Sequence, residues 1–277
     1  MRRRAMLRRV RRRLTILVVS LATAATAAAA ALPAAAAGST WKPGFSDALD
    51  YAQSRAGVIT FALRTPHHVW AYRPNHTEPS ASVIKAMILV AYLDLPDVRY
   101  RKLSSGERDE VSRMIEYSDD QAANDIFYNH VGFDGLNRLA SKVHMKHFST
   151  HPGGFEAWGR TSIAAADQTK LFLHLEHYIA PRHRSLALHL LNSIQPGYGR
   201  WGIWDVSTPG WSLYEKSGWG AGTGWVDSQS ALLKRGKMRL ALTILTHNDP
   251  DHTYGMNTLR GIAGRLLHHL GQNSHVK

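Results

Sequence analysis

The chain has 277 residues, carries 34 Lys and Arg against 21 Asp and Glu for a formal net charge of +13, and contains no cysteine. It therefore has no disulfide, no cysteine for a lipid anchor and no thiolate metal ligand, and its stability must come from a buried core. The charge is unevenly placed: residues 1–13 hold eight arginines and no acid, Leu14 to Ala31 is uncharged and alanine-rich, and Ala35-Ala36-Ala37 precedes Gly38. These three parts predict a signal peptide over 1–37, with Arg11-Arg12-Arg13 also compatible with twin-arginine export. Alanine anchors poorly in lipid, so the protein is expected to be secreted without a stable membrane anchor. Subtracting the eight leader arginines from +13 leaves +5 on residues 38–277. That removes the main support for a nucleic-acid partner, whereas a mildly cationic surface suits an anionic cell wall.

In chain order, hydrophobic periodicity predicts a helix over 46–55 and strands over 58–63 and 68–72. A helix opening near Ser82 follows, then a helical block over 107–131 and a helix over 133–143. The stretch 147–160, rich in Gly, Pro, Phe and Trp, reads as loop. Helices over 164–177 and 184–193 lead to strands over 213–217, 225–233 and 238–246, and a last helix over 257–270. Strands at both ends around a helical middle imply one antiparallel sheet completed by both termini. The glycines at 218, 220, 222 and 224 lack a strand-turn-helix context and fit a β-hairpin turn better than a phosphate loop. Residues 38–277 show no linker, repeat or low-complexity tract and are read as one domain.

The chemistry begins with Ser82-Val83-Ile84-Lys85. Residues three apart share a helix face, and a hydroxyl at a helix start sits at the positive end of the helix dipole, among backbone N–H groups able to serve an oxyanion. Ser82 is the candidate nucleophile, attacking an amide carbonyl to form an acyl-enzyme. Lys85 is the candidate base, which requires burial and a second cation to lower its pKa; Lys216 could supply that cation. Ser118, between the two lysines, is the candidate proton relay to the leaving nitrogen, although a serine there also fits a helix cap. Lys216-Ser217-Gly218 reads as an edge strand: Gly218 lets substrate backbone lie close, and Lys216 and Ser217 could hold a carboxylate.

Ser-x-x-Lys at 82–85, Tyr117-Ser118-Asp119-Asp120-Gln121-Ala122-Ala123-Asn124, and Tyr214-Glu215-Lys216-Ser217-Gly218-Trp219-Gly220 stand in this order. From about Ser46 to about Leu270 the chain resembles the serine β-lactamase and penicillin-binding-protein superfamily, most of all class A β-lactamases and related actinobacterial exported serine hydrolases. The resemblance implies an α/β fold: an antiparallel sheet flanked by helices, an inserted all-helical subdomain, and the site between them. It further implies backbone N–H groups of Ser82 and Trp219 as oxyanion donors, and acylation by a β-lactam or related amide without cofactor. Two departures stand out. Asp120 replaces the asparagine of Ser-Asp-Asn, and an ionised carboxylate can neither donate to a substrate carbonyl nor favour a neutral Lys85. The family's Glu-x-x-Leu-Asn loop is missing, and Glu156 is the only acid from Gly135 to Ala166. Glu156 is thus either the base for deacylation or an exposed loop acid, and Asn124 matches an asparagine that contacts the family's glutamate or serves only in packing.

The alternatives are a D-alanyl-D-alanine carboxypeptidase or transpeptidase acting on peptidoglycan, and a non-catalytic wall-binding protein of the same fold. The expected partner is a small-molecule β-lactam or a peptidoglycan peptide, and the expected state a monomer. No metal is expected: His144, His147 and His151, or His174 and His177, have helical spacing but no His-Glu-x-x-His pattern, and read as surface or half-buried histidines. Gly-x-Ser-x-Gly is missing as well, which argues against a different class of serine hydrolase. Tryptophans 201, 204, 211, 219 and 225 either line a groove or pack the core.

Overall fold

The computed structural model describes residues 40–154, 156–221, 224–271 and 274–276, and the expected leader and its cleavage site lie outside them. Strands β1 (Val58–Arg64), β2 (Val69–Tyr72), β5 (Ser212–Gly220), β6 (Trp225–Arg235) and β7 (Met238–Asp249) form one antiparallel sheet. Its order is β2-β1-β7-β6-β5, so early and late segments meet at the β1–β7 pair and β5 lies on an edge. Strand β7 shows why both faces are dry. Leu240, Leu242 and Ile244 enter one core cluster, with helices α1 (Phe45–Gln53) and α8 (His252–Leu266), while Ala241 and Leu245 enter the other. Period-2 alternation directs successive side chains to opposite faces, and here both faces are covered.

The second face carries the remaining helices around α2 (Ile84–Leu93), whose ten residues are all buried. A helix apolar on every side belongs in the middle of a core, and α2 is apolar on every side except for Lys85. Around it pack α3 (Ser105–Glu116), α4 (Asp120–Ile126), α5 (Gly132–Val143), α6 (Ala165–Leu173) and α7 (Arg184–Asn192). Among the described residues no helix is long and apolar enough to cross a membrane.

Four differences from the expected elements have local causes. The helical block over 107–131 is split into α3, α4 and a π-helical turn over Phe127–Val131. Asp119 starts a new helix by accepting from the Ala122 N–H at 2.9 Å, and Ser118 takes a left-handed φ of 53° at the break. The supposed loop over 147–160 ends in a 3-10 turn, Ala157–Arg160, and leads into β4 (Ser162–Ala164), which pairs with β3 (Thr77–Pro79). Strands of three residues are too short to show alternation. The helix over 164–177 stops at Leu173 and is followed by a 3-10 turn, Leu175–Tyr178. The last helix starts at His252 because Asp251 caps it, accepting from the Tyr254 N–H at 2.7 Å, and it ends at Leu266.

Helix α3 opens with a capping box. Ser104 Oγ accepts from the Glu107 N–H at 3.2 Å and Glu107 Oε2 accepts from the Ser104 N–H at 2.7 Å, so two otherwise unpaired donors are satisfied reciprocally. Ser104→Ala should lower the urea unfolding free energy by about 1 kcal/mol with an unchanged m-value.

Candidate active site

Ser82 lies in a 3-10 turn, Ala81–Val83, that feeds directly into α2. Edge strand β5 crosses immediately beside this turn. A β-carbon at Gly218 would stand 2.6 Å from Ser82 N, 2.7 Å from Val83 N and 2.8 Å from Ser80 O, so only glycine permits the approach. Ser82 opens on a cavity of about 400 Å³ whose walls include Asp120, Glu156, Trp158, Arg160 and Trp219. Among the described residues no side chain makes a hydrogen bond to Ser82 Oγ.

Two buried amines converge behind the serine. Lys85 Nζ donates to Ser118 O at 2.5 Å, to Asp120 Oδ1 at 2.5 Å and to Ser118 Oγ at 3.4 Å, and stands 5.0 Å from the centre of a Trp158 ring. Lys216 Nζ lies 3.0 Å from Ser118 Oγ and 2.9 Å from Ser217 O. The Ser118 hydroxyl is therefore held between both amines, presented by the left-handed break before α4. Burial pushes the Lys85 ammonium below its usual range and the Asp120 carboxylate pulls it back up. Burial, then the charge of Lys85, pushes Lys216 down to about 7. Three acceptors thus surround the Lys85 amine, as many as an ammonium has protons.

The structure brings Ser82, Lys85, Ser118, Asp120, Lys216, Gly218 and Trp219 together, but it turns Ser217 away. Strand alternation directs Lys216 and Gly218 towards Ser82 and sends Ser217 to the opposite face. Its buried hydroxyl lies 2.9 Å from Gly199 O, 2.5 Å from Glu215 Oε1 and 2.8 Å from Gln229 Nε2. The expected contact of Ser217 with a substrate carboxylate is corrected accordingly. Glu156 does face the cavity, on a left-handed φ of 53°, and burial followed by the charge of Asp120 pushes its carboxyl up. Asn124 does not reach the cavity wall itself. Its Oδ1 accepts from Trp158 Nε1 at 2.8 Å, so it braces the indole beside Lys85, while its Nδ2 is buried without an acceptor among the described residues. Trp158 was not singled out by sequence, although it sits in the aromatic-rich stretch. Among the described residues no group of three or more His, Asp or Glu side chains converges as metal ligands.

A family model described as the beta-lactamase enzyme family matches residues 107–270. The chain belongs to that family and is a β-lactamase-like serine hydrolase. The matched residues hold Ser118, Asp120 and Lys216 but begin beyond Ser82. No curated protein matches the chain. Among solved structures, a β-lactamase from Sphaerobacter thermophilus is 18% identical with a TM-score of 0.65, over 81% of this chain and 95% of that one. An ancestral class A β-lactamase is 15% identical with a TM-score of 0.69, over 81% and 98%. The acyl-enzyme complex of a PBP-A mutant with penicillin G is 17% identical with a TM-score of 0.63, over 80% and 93%. At these identities the likeness establishes the fold, an antiparallel sheet flanked by helices.

Behind Lys216, on the other face of β5, Glu215 is fully buried and accepts from Trp204 Nε1 at 2.7 Å. Burial pushes its carboxyl from 4.5 up to about 7. An acid whose pKa is raised on folding contributes stability that is complete below its unfolded value and lost as pH rises through its folded value. Stability should therefore decline between about pH 4.5 and pH 7 on account of this group. Glu215→Gln keeps an acceptor for Trp204 and should flatten that decline in urea unfolding curves taken across the interval.

Proposed function

We propose that the chain is an exported serine hydrolase in which Ser82 is acylated by a β-lactam or a related amide of the cell wall. The observation that carries this reading is the Ser118 hydroxyl held at 3.0 Å and 3.4 Å between two buried amines, next to the turn that presents Ser82. In the first step neutral Lys85 takes the Ser82 proton and Oγ bonds to the carbonyl carbon, whose oxygen becomes the oxyanion under the backbone N–H groups at Ser82 and Trp219. As the carbon–nitrogen bond breaks, Ser118 passes its proton to the leaving nitrogen and is reprotonated from the lysine side. Water then cleaves the ester. Export is supported by the arginine-rich, apolar and small-residue sequence of residues 1–37.

The absence of the Glu-x-x-Leu-Asn loop favours a second reading, a D-alanyl-D-alanine carboxypeptidase or transpeptidase whose β-lactam adduct persists. Glu156 would be the water-activating base if deacylation is fast. A time course with a fluorescent penicillin separates these readings from a non-catalytic wall-binding protein. The wild type should take up one label that persists for about minutes or longer, given no well-placed base, and Ser82→Ala should take up none while unfolding as the wild type does. Labelling of Ser82→Ala would exclude Ser82 as the nucleophile.

Asp120 governs the first step. Its charge stabilises protonated Lys85, so Asp120→Asn should lower the lysine pKa, speed acylation at neutral pH and shift the rate–pH profile to lower pH. One unit of that shift corresponds to about 1.4 kcal/mol. The measurement is the acylation rate against pH for both proteins, and a mutant slower at every pH would refute the inhibitory role.

A further inference from the structure

On the face of the sheet that carries Trp219, a histidine and a carboxylate lie inside a cage of tryptophans. His252, the first residue of α8, places Nδ1 2.7 Å from Asp227 Oδ1, and that carboxylate is fully buried. Its ring stands 5.2 Å from Trp201 at 88°, 6.3 Å from Trp219 at 29° and 6.4 Å from Trp225 at 28°. Trp201 and Trp219 meet edge to face at 4.8 Å. Helix α8 makes room for the carboxylate at Gly255, where a β-carbon would fall 2.2 Å from Asp227 Oδ2. That oxygen has no hydrogen-bond partner among the described residues.

The location gives the pair its significance. Trp219 follows Gly218, whose backbone touches the nucleophile's turn, and Asp227 is its partner across the β5–β6 ladder. Trp225 starts the returning strand, next to Val226, which lines the cavity with Trp219 and Gly220. His252 thus packs on both stems of the hairpin that walls the cleft. We propose that His252, held by Asp227 and stacked on Trp219 and Trp225, is a positioning residue that keeps the backbone of Gly218 and Trp219 in reach of Ser82. The proposal rests on the reading of Ser82 as nucleophile.

The electrostatic surroundings give the pair a pH signature. Burial, then Asp249 on β7 and Asp251 at the cap of α8, pushes the Asp227 carboxyl up to about 8. Burial pushes His252 down while Asp251 pulls it up. Asp249 is itself raised to about 6 by burial, with Arg55 and His247 opposing the rise, and its second oxygen is bonded to Thr246 Oγ1. At 2.7 Å the hydrogen bond between Asp227 and His252 is kept whichever of the two holds the proton between them.

Two measurements on the secreted chain test the role. Imidazolium quenches indole emission, and His68 also stacks on Trp70 at 5.5 Å, so the titration is run in a His68→Phe background, where tryptophan fluorescence should show a pH transition that disappears when His252→Phe is added. This readout needs no acylation and is therefore separable from the Ser82 reading. In penicillin labelling, His252→Ala should slow the maximal acylation rate by about tenfold or more, with the half-saturating concentration little changed, because a small misplacement of reacting groups acts on the chemical step. His252→Phe should recover part of that rate but lose its pH dependence in the range of the fluorescence transition. A folded His252→Ala that acylates at the wild-type rate, or a transition that persists in His252→Phe, would overturn the proposal. If the wild type takes up no label, the Ser82 reading fails, and the fluorescence titration still decides whether His252 is in contact with the hairpin indoles.

Discussion

The bond between Lys85 and Asp120 ties α2 to α4 within the helical layer. An amine inside a wholly buried helix must be neutral or paired, because an isolated charge in a low-dielectric core costs several kcal/mol or more. Lys85 is paired through the Ser118 carbonyl and the Asp120 carboxylate, both at 2.5 Å. These two partners come from the break between α3 and α4. The same contact therefore fixes the register of α2 against α4 and places the Ser118 hydroxyl between the lysines.

From the other side the site is closed by contact without a side chain. Gly218 lets β5 lie against the turn of Ser82, and the β5–β6 ladder continues through Trp219 and Asp227 to the tryptophans around His252. One wall is thus a strand and the opposite wall a helix start, each built from short-range geometry that the sheet and the core hold rigid. The third wall is the indole of Trp158, whose Nε1–H donates a single hydrogen bond to Asn124 Oδ1. A side chain at Gly218 would collide with the turn of Ser82 directly, whereas a substitution at Asn124 would act on the cleft through Trp158.

Much of this was legible in the sequence because it was periodic or local. The strands that became β1, β6 and β7 showed as apolar runs, and the two lysines and two serines stood out through their spacing. The α3–α4 break was readable in principle from Asp119, a capping residue three positions before an alanine pair, but continuous helical composition on both sides masked it. Strands β3 and β4 are held by pairing with each other, which no three-residue window reveals. Ser217 was misjudged because a motif specifies residue types and strand alternation decides which face they occupy. The role of Asn124 depended on Trp158, 34 positions away, and the His252–Asp227 pair joins residues 25 apart. Neither carries a spacing signal.

The charge arrangement in the cleft also has a direction in time. Asp120 is the exposed member of its pair, with 54% of its side chain open to solvent, whereas Lys85 and Lys216 are buried. In the open cleft water screens the pull of Asp120 on Lys85, while the repulsion between the two buried amines is screened much less. Repulsion then favours loss of a proton from one of them. When a substrate fills the cavity and displaces water, the same Asp120 carboxylate acts through a lower dielectric and its hold on the Lys85 proton strengthens. A neutral lysine is therefore easier to reach while the cavity holds water than when a substrate fills it, unless the substrate supplies a group that draws Asp120 away. The residue at position 120 thus couples the protonation state of Lys85, the proposed base, to what occupies the cavity, which an asparagine, carrying no charge, cannot do.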